Sequence, residues 1–208
     1  MRTRPLTNGT LEPVTLDELK PWMRISSGDI EDANLKTILA AARRACEEFG
    51  RMSISPRQWL TIYRVPRYSG NALVKTFTVT DPDNVTKRLT LRRRPAISVE
   101  TIEFKTRDAS EYATPDHTLD LAEGTIVWHK DLYLADANLS SIQVTYTAGF
   151  PANAESEPTH CVADENVKLA VMETALHFYE DRGLDDTMSI PQKAMDLLRG
   201  YWQPAGAY

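Results

Sequence analysis

In the first quarter of the chain, apolar residues recur at intervals of three and four. Leu35, Ile38, Leu39, Ala42, Cys46 and Phe49 fall on one face of a helix, and Gly50 stands near its end, where a glycine stops a helix at little steric cost. This helix opens after Ser26-Ser27-Gly28-Asp29. Ahead of it, Leu16, Leu19 and Met23 give a shorter helix one apolar face, despite Pro21. Thr15 and Glu18 have capping-box spacing, in which each side chain bonds the other residue's backbone N–H. From Arg57 the period changes to two: Trp59, Thr61, Tyr63 and Val65 alternate with Leu60 and Ile62, and Pro66 closes the run. Further strand-like runs cover residues 75–80, 85–91, 99–104, 125–129 and 141–147. Turn chemistry separates them at Asp81-Pro82-Asp83-Asn84, Arg94-Pro95 and Glu123-Gly124. About six short strands so spaced predict a small antiparallel sandwich or barrel, inserted between helices in a mixed α+β chain.

The helical period returns over residues 164–182, after Gly149-Phe150-Pro151 and a polar loop. Val167, Ala170, Val171 and Thr174 form one stripe, while Leu169, Met172, Leu176 and Tyr179 form another. A helix apolar on two faces is central in its own domain, or packs against both its domain and a neighbouring subunit. Ser189-Ile190-Pro191 starts a last helix, with proline early, where its missing N–H costs nothing. The pattern divides the chain into a polar, extended N-terminal arm (residues 1–14), helical segments (15–56 and 152–200), a β lobe (57–151) and a tail (201–208). The tail carries Tyr201, Trp202 and Tyr208 around Gln203 and Pro204, and aromatics are enriched at interfaces. It is a candidate docking peptide, with a tail folded back on its own domain as the alternative.

Charge changes this picture more than composition does. The 208 residues are 42% hydrophobic and 25% charged, ordinary for a folded domain, and no run of about 18 apolar residues occurs. The N-terminus has two arginines without an apolar stretch behind them, so no signal peptide is expected there. Cys46 and Cys161 give neither a disulfide framework nor a zinc motif, and suit a reducing cytoplasm as the place of synthesis. The net charge of −5 hides an asymmetry: residues 57–107 carry 11 basic and 4 acidic side chains, and residues 108–190 carry 3 and 16. A plus-rich block beside a minus-rich one suits head-to-tail self-association, and equally suits neutralisation within one folded lobe.

Candidate chemistry is sparse. No dinucleotide fingerprint, phosphate loop or nucleophile elbow is present, and no two of the four histidines stand at ligand spacing. His160, Cys161 and Asp164 cannot wrap one ion unaided, and read as a loop with an Asp cap on the following helix. His177 reads as a packed or interface residue, and the neighbouring Glu180 and Asp181 point about 100° apart on a helix. No catalytic residue, cofactor or metal is expected. Arg92, Arg93 and Arg94, joined by Lys87 and Arg88, make a basic cluster beside predicted strands. That cluster faces solvent at a strand end, a DNA-filled lumen or an acidic neighbour.

Four phrases, in order along the chain, resemble the head–tail connector (adaptor) family of tailed bacteriophages. Pro13-Val14-Thr15-Leu16-Asp17-Glu18-Leu19-Lys20 with Arg24-Ile25 is similar to that family's opening helix, and Ala41-Ala42-Arg43-Arg44, then Glu47 and Gly50-Arg51, to its long helix. Gln58-Trp59 opens the first strand as in relatives, and Val144–Pro151 precedes a helix carrying Phe178-Tyr179-Glu180-Asp181-Arg182. The middle, residues 67–140, is similar only as generic strands. The resemblance implies a helical bundle from the terminal segments with an inserted β lobe, and a role without catalysis in the virion neck. It implies a ring of about twelve copies, joining the portal to a stopper or tail-completion protein, with DNA passing through non-specifically and no membrane involved. On that reading Tyr201, Trp202, Gln203, Pro204 and Tyr208 dock on the portal, and His177, Tyr179, Glu180 and Arg182 lie between subunits. Arg92, Arg93 and Arg94 then line the lumen or an interface. The alternatives are a stopper, which would carry less helix, and a DNA-binding regulator resting on the arginine cluster alone.

Overall fold

The computed structural model describes residues 2–25, 32–64, 87–106, 111–112, 117–121, 123–128, 139–155, 158–181 and 189–201. The chain forms two compact units, one through Gly9–Pro56 and Gly149–Pro204, the other through Met1–Asn8 and Arg57–Ala148. Among the described residues, four helices and two antiparallel sheets make it a mixed α/β protein.

The helical unit holds α1 (Leu16–Trp22), α2 (Asp32–Gly50), α3 (Glu165–Glu180) and α4 (Gln192–Leu198). The expected capping box is present on α1: Thr15 N–H donates to Glu18 Oε2 at 2.8 Å, and Glu18 N–H to Thr15 Oγ1 at 3.3 Å. The Thr15 N–H holds the Glu18 carboxyl below its ordinary range. The residues ahead of α2, where its start was expected at Ser26–Asp29, lie outside the described residues. Leu35, Leu39, Ala42 and Cys46 of α2 are buried against Val167, Ala170, Val171, Ala175 and Phe178 of α3, with α4 adding Ala194 and Leu198. Met172, Leu176 and Tyr179 pack half-buried on this same core, so α3 is central within its unit. Thr174 satisfies its buried hydroxyl on the Ala170 carbonyl at 2.7 Å and meets Cys46 Sγ at 3.5 Å.

Gly50 ends α2 as expected, and the left-handed residue just beyond it is Arg51, at φ 52°. Met52 N–H reaches the Glu47 carbonyl and Arg51 N–H the Glu48 carbonyl, the paired bonds of a Schellman ending. α1 ends in the same way, with Arg24 at φ 56°. Asp164 precedes α3 as expected, but its side chain makes no capping bond, because Tyr201 Oη donates to its carboxylate instead.

The β unit is built on β8 (Leu139–Ala148), flanked by β2 (Arg57–Arg64) and β4 (Ala96–Thr106); β1 (Arg2–Pro5) and β5 (Glu111–Tyr112) form the edges of this five-stranded sheet. A second sheet orders β3 (Lys87–Thr90), β7 (Thr125–Trp128) and β6 (His117–Asp120). Period two in β2 places Trp59, Thr61 and Tyr63 inward. Trp59 and Tyr63 join Ile142, Val144 and Tyr146 in a core shared with Leu89 and Ile126 of the second sheet and Leu91 just after β3. Tyr63 Oη ties the two sheets by donating to the Thr90 carbonyl at 2.6 Å. β4 pairs with β8 through three register shifts, which blur its alternation. Residues 2–5, expected as part of an extended arm, are extended and pair with β2, from Arg2 opposite Ile62 to Pro5 opposite Trp59. The strand expected at residues 75–80 lies outside the described residues.

A buried ionic cluster ties α2 to the stretch ahead of α1 and to the segment that follows α2. Arg43, 2% exposed, donates from Nε to Glu12 Oε2 at 2.8 Å, from Nη1 to Glu47 Oε2 at 3.2 Å and from Nη2 to the Gly9 carbonyl at 3.3 Å. The other Glu47 oxygen accepts the N–H groups of Ile54 and Ser55 at 2.8 and 3.1 Å. Close backbone approach completes the arrangement. A Cβ on Gly149 (φ 139°) would lie 2.5 Å from Pro56 Cα.

Candidate interaction surfaces

The segment between β3 and β4 delivers the three consecutive arginines. Leu91 is buried, with its N–H on the Gly124 carbonyl at 2.8 Å, so Arg92 turns outward and is exposed. Arg93 returns inward, its N–H donating to Tyr146 Oη at 3.1 Å. Burial raises the Tyr146 hydroxyl above its ordinary range, and the bonds with Thr61 and the Arg93 N–H oppose that rise. The Arg93 guanidinium lies over the Trp59 ring, 4.9 Å from its centroid, and Arg57 lies over the same ring at 4.9 Å. Such cation–π contacts contribute about 0.5–2 kcal/mol each, depending on desolvation. Covered by two guanidiniums, Trp59 is only 5% exposed. Arg94 lies across Gly124, where a Cβ would stand 3.0 Å from Arg94 Cδ, and glycine also suits the φ of 59°. Arg94 Nε is buried without a hydrogen-bond partner among the described residues. The side chains of Lys87 and Arg88 lie outside the described residues.

The second surface is the C-terminal end of α3. His177 Nδ1 stands 3.0 Å from Asp181 Oδ2, and its ring meets that of Phe178 at a centroid separation of 6.2 Å. Tyr179 is half-buried on the helical core, and Glu180 and Asp181 are exposed. Arg182 lies outside the described residues. Of the expected docking tail, Tyr201 packs on the helical core while its hydroxyl bonds Asp164, and burial with that bond pushes the phenol up to about 12. Trp202, Gln203, Pro204 and Tyr208 lie outside the described residues.

Among the described residues, nucleophiles and ligands do not converge. His160 Nδ1 meets Thr159 Oγ1 at 3.1 Å and Asp164 is taken by Tyr201, while Cys161 is buried. Among the described residues no three His, Cys, Asp or Glu side chains come together to hold a metal ion. Burial pushes the Cys46 thiol up to about 11 and the Cys161 thiol up to about 12, which makes both poor nucleophiles. Among the described residues no helix is long and apolar enough to cross a membrane.

Reading the sequence missed two groupings. The Glu12–Arg43–Glu47 cluster had a signal: residues 43 and 47 are four apart and stand on the same stripe as Leu39, Cys46 and Gly50. The Arg57–Trp59–Arg93 stack had none, because its members come from segments that meet only through the register of the sheet.

No protein-family model matches the chain, and no curated protein does. Solved structures do. The chain matches a component of the neck of an empty gene transfer agent (GTA) particle computed with C6 symmetry, at a TM-score of 0.63 and 20% identity. It also matches chains from the virion of the native particle (TM-score 0.62, 19% identity) and from its neck computed with C12 symmetry (0.61, 19%). In each case the match covers 100% of this chain and 99% of the other. The fold is one found in particle necks.

Proposed function

We propose that this chain is a structural, non-catalytic component of the neck of a tailed-phage-like virion, made in the host cytoplasm and assembled as a ring. The observation that carries the reading is the end-to-end likeness to the neck component, which spans both units and leaves almost nothing of either chain unmatched. The neck of the native particle was computed with C12 symmetry, and a ring of about twelve copies of this chain is the corresponding assembly. Within the neck the chain acts as the head–tail adaptor. The four helices form a small bundle with the β lobe inserted between its segments, portal and stopper bind on opposite sides of the ring, and DNA passes through the lumen.

The portal contact belongs to the C-terminal helix and tail. Removing residues 202–208, which leaves Leu198 and Tyr201 in the helical core, abolishes portal binding in a pull-down while far-ultraviolet circular dichroism stays close to wild type. Unchanged binding by the truncated chain contradicts this placement. A broader test is removal of the chain from an assembling phage: filled heads without attached tails are expected, and normal tailed particles contradict the neck role.

A further inference from the structure

We propose that the arginine site of one copy, Arg92 and Arg94 beside the Arg57–Trp59–Arg93 stack, receives the carboxylates at the end of α3 of a second copy, Glu180 foremost. The proposal rests on the ring reading and names the groups that meet in it.

Both surfaces carry charge that the described residues leave unmet. Arg92 is exposed with no anionic partner among the described residues, and Arg94 Nε is a buried N–H with nothing to bond among them. Trp59 braces Arg93 and Arg57, so the cluster is held in place rather than swung freely into solvent. A guanidinium fork matches a carboxylate with two parallel hydrogen bonds, which suits an acidic protein partner. Glu180 is the last residue of α3 and Asp181 its cap, at the negative end of the helix dipole, where acidic side chains are disfavoured. Only His177 stands against Asp181, and no cation stands against Glu180 among the described residues. The surplus of acid in residues 108–190 against base in 57–107 extends the same complementarity beyond these side chains.

The two surfaces are different patches of the chain, so their contact is heterologous and repeats from copy to copy, as a closed ring requires. Nucleic acid fits the site less well. Trp59 is 5% exposed beneath two guanidiniums and offers no face on which a base could stack.

The test uses the full-length chain in sedimentation velocity, with Arg92→Glu, Glu180→Arg, and an equimolar mixture of the two. Both positions are exposed, and thermal melts are the check that each variant folds. The wild-type chain is expected to self-associate more strongly at low salt. Each single variant associates about tenfold or more weakly. The mixture restores association. In alternating order the glutamate introduced at position 92 meets the arginine introduced at position 180, and native Arg92 meets native Glu180. No folding defect would give that rescue. Association unchanged by either variant overturns the proposal and leaves the ring reading standing. Loss of duplex-DNA binding in Arg92→Glu with self-association intact also overturns it, assigning the site to phosphate. A wild-type chain that stays monomeric at every concentration overturns it as well. The ring reading is then judged separately, by whether the chain occupies the necks of purified particles.

Discussion

Arg43 in the helical unit and Arg92 in the β unit carry the same charge on the same side chain, in opposite surroundings. Arg43 is 2% exposed, and its donors are taken up by Glu12, Glu47 and the Gly9 carbonyl. Arg92 is exposed, beside Arg94, whose Nε is buried and unmatched among the described residues. A buried charge with full internal pairing holds segments of one fold together. On the proposal above, a held cluster whose Arg92 and Arg94 keep donors unmatched among the described residues serves a partner outside the fold. The contrast separates residues that make the unit stable from residues that give it neighbours, and mutations should split along the same line.

The largest effect is expected at Glu47→Ala, which strips Arg43 of a partner and leaves the N–H groups of Ile54 and Ser55 unbonded. Breaking one side of a buried pair costs about 3–5 kcal/mol, read by urea unfolding. A cost below about 1 kcal/mol would place the pair among ordinary surface bridges and erase the contrast. Gly149→Ala follows, at about 2 kcal/mol or more, because the new Cβ meets Pro56 backbone at a φ that L-residues avoid. Arg51→Gly runs the other way. Relieving a left-handed arginine at the end of α2 raises stability by about 1 kcal/mol in the same unfolding experiment.

Tyr201→Phe tests the anchor at the start of the tail through its pH dependence. The folded phenol is raised to about 12, from about 10 when unfolded. A raised folded value means that this contribution is complete below about pH 10 and fades as pH rises towards 12. The stability gap between wild type and Tyr201→Phe therefore narrows from about pH 10 to about pH 12; a constant gap means the hydroxyl contributes nothing through its proton. Smallest of all is Arg92→Ala, within about 0.5 kcal/mol of wild type in monomer stability. A larger loss would move Arg92 to the structural side of the comparison.

The same division shows in what the sequence displayed. The stripe of α2, the two stripes of α3 and the Thr15–Glu18 box are legible because each lies within a single helix, where spacing alone decides which residues are neighbours. β1 and β6 are not: Arg-Thr-Arg-Pro and His-Thr-Leu-Asp have no apolar alternation, and their pairing partners supply the strand character. Gly50 was legible as the end of α2, but the left-handed Arg51 beyond it was not, because the Schellman bonds place it and its side chain gives no sign of it. Asp164 lost its capping role to Tyr201, a partner 37 residues away. The arginines themselves were visible as a triplet, but their bracing by Trp59 depends on the register of β2 and β4 on either side of β8.

The most direct measurement is cryo-electron microscopy of particles carrying the tagged chain, or of the purified chain mixed with its portal. The account predicts a symmetric ring of this chain in the neck, below the portal. Neck density of good quality without such a ring, alongside a free chain that binds duplex DNA by itself, would contradict it.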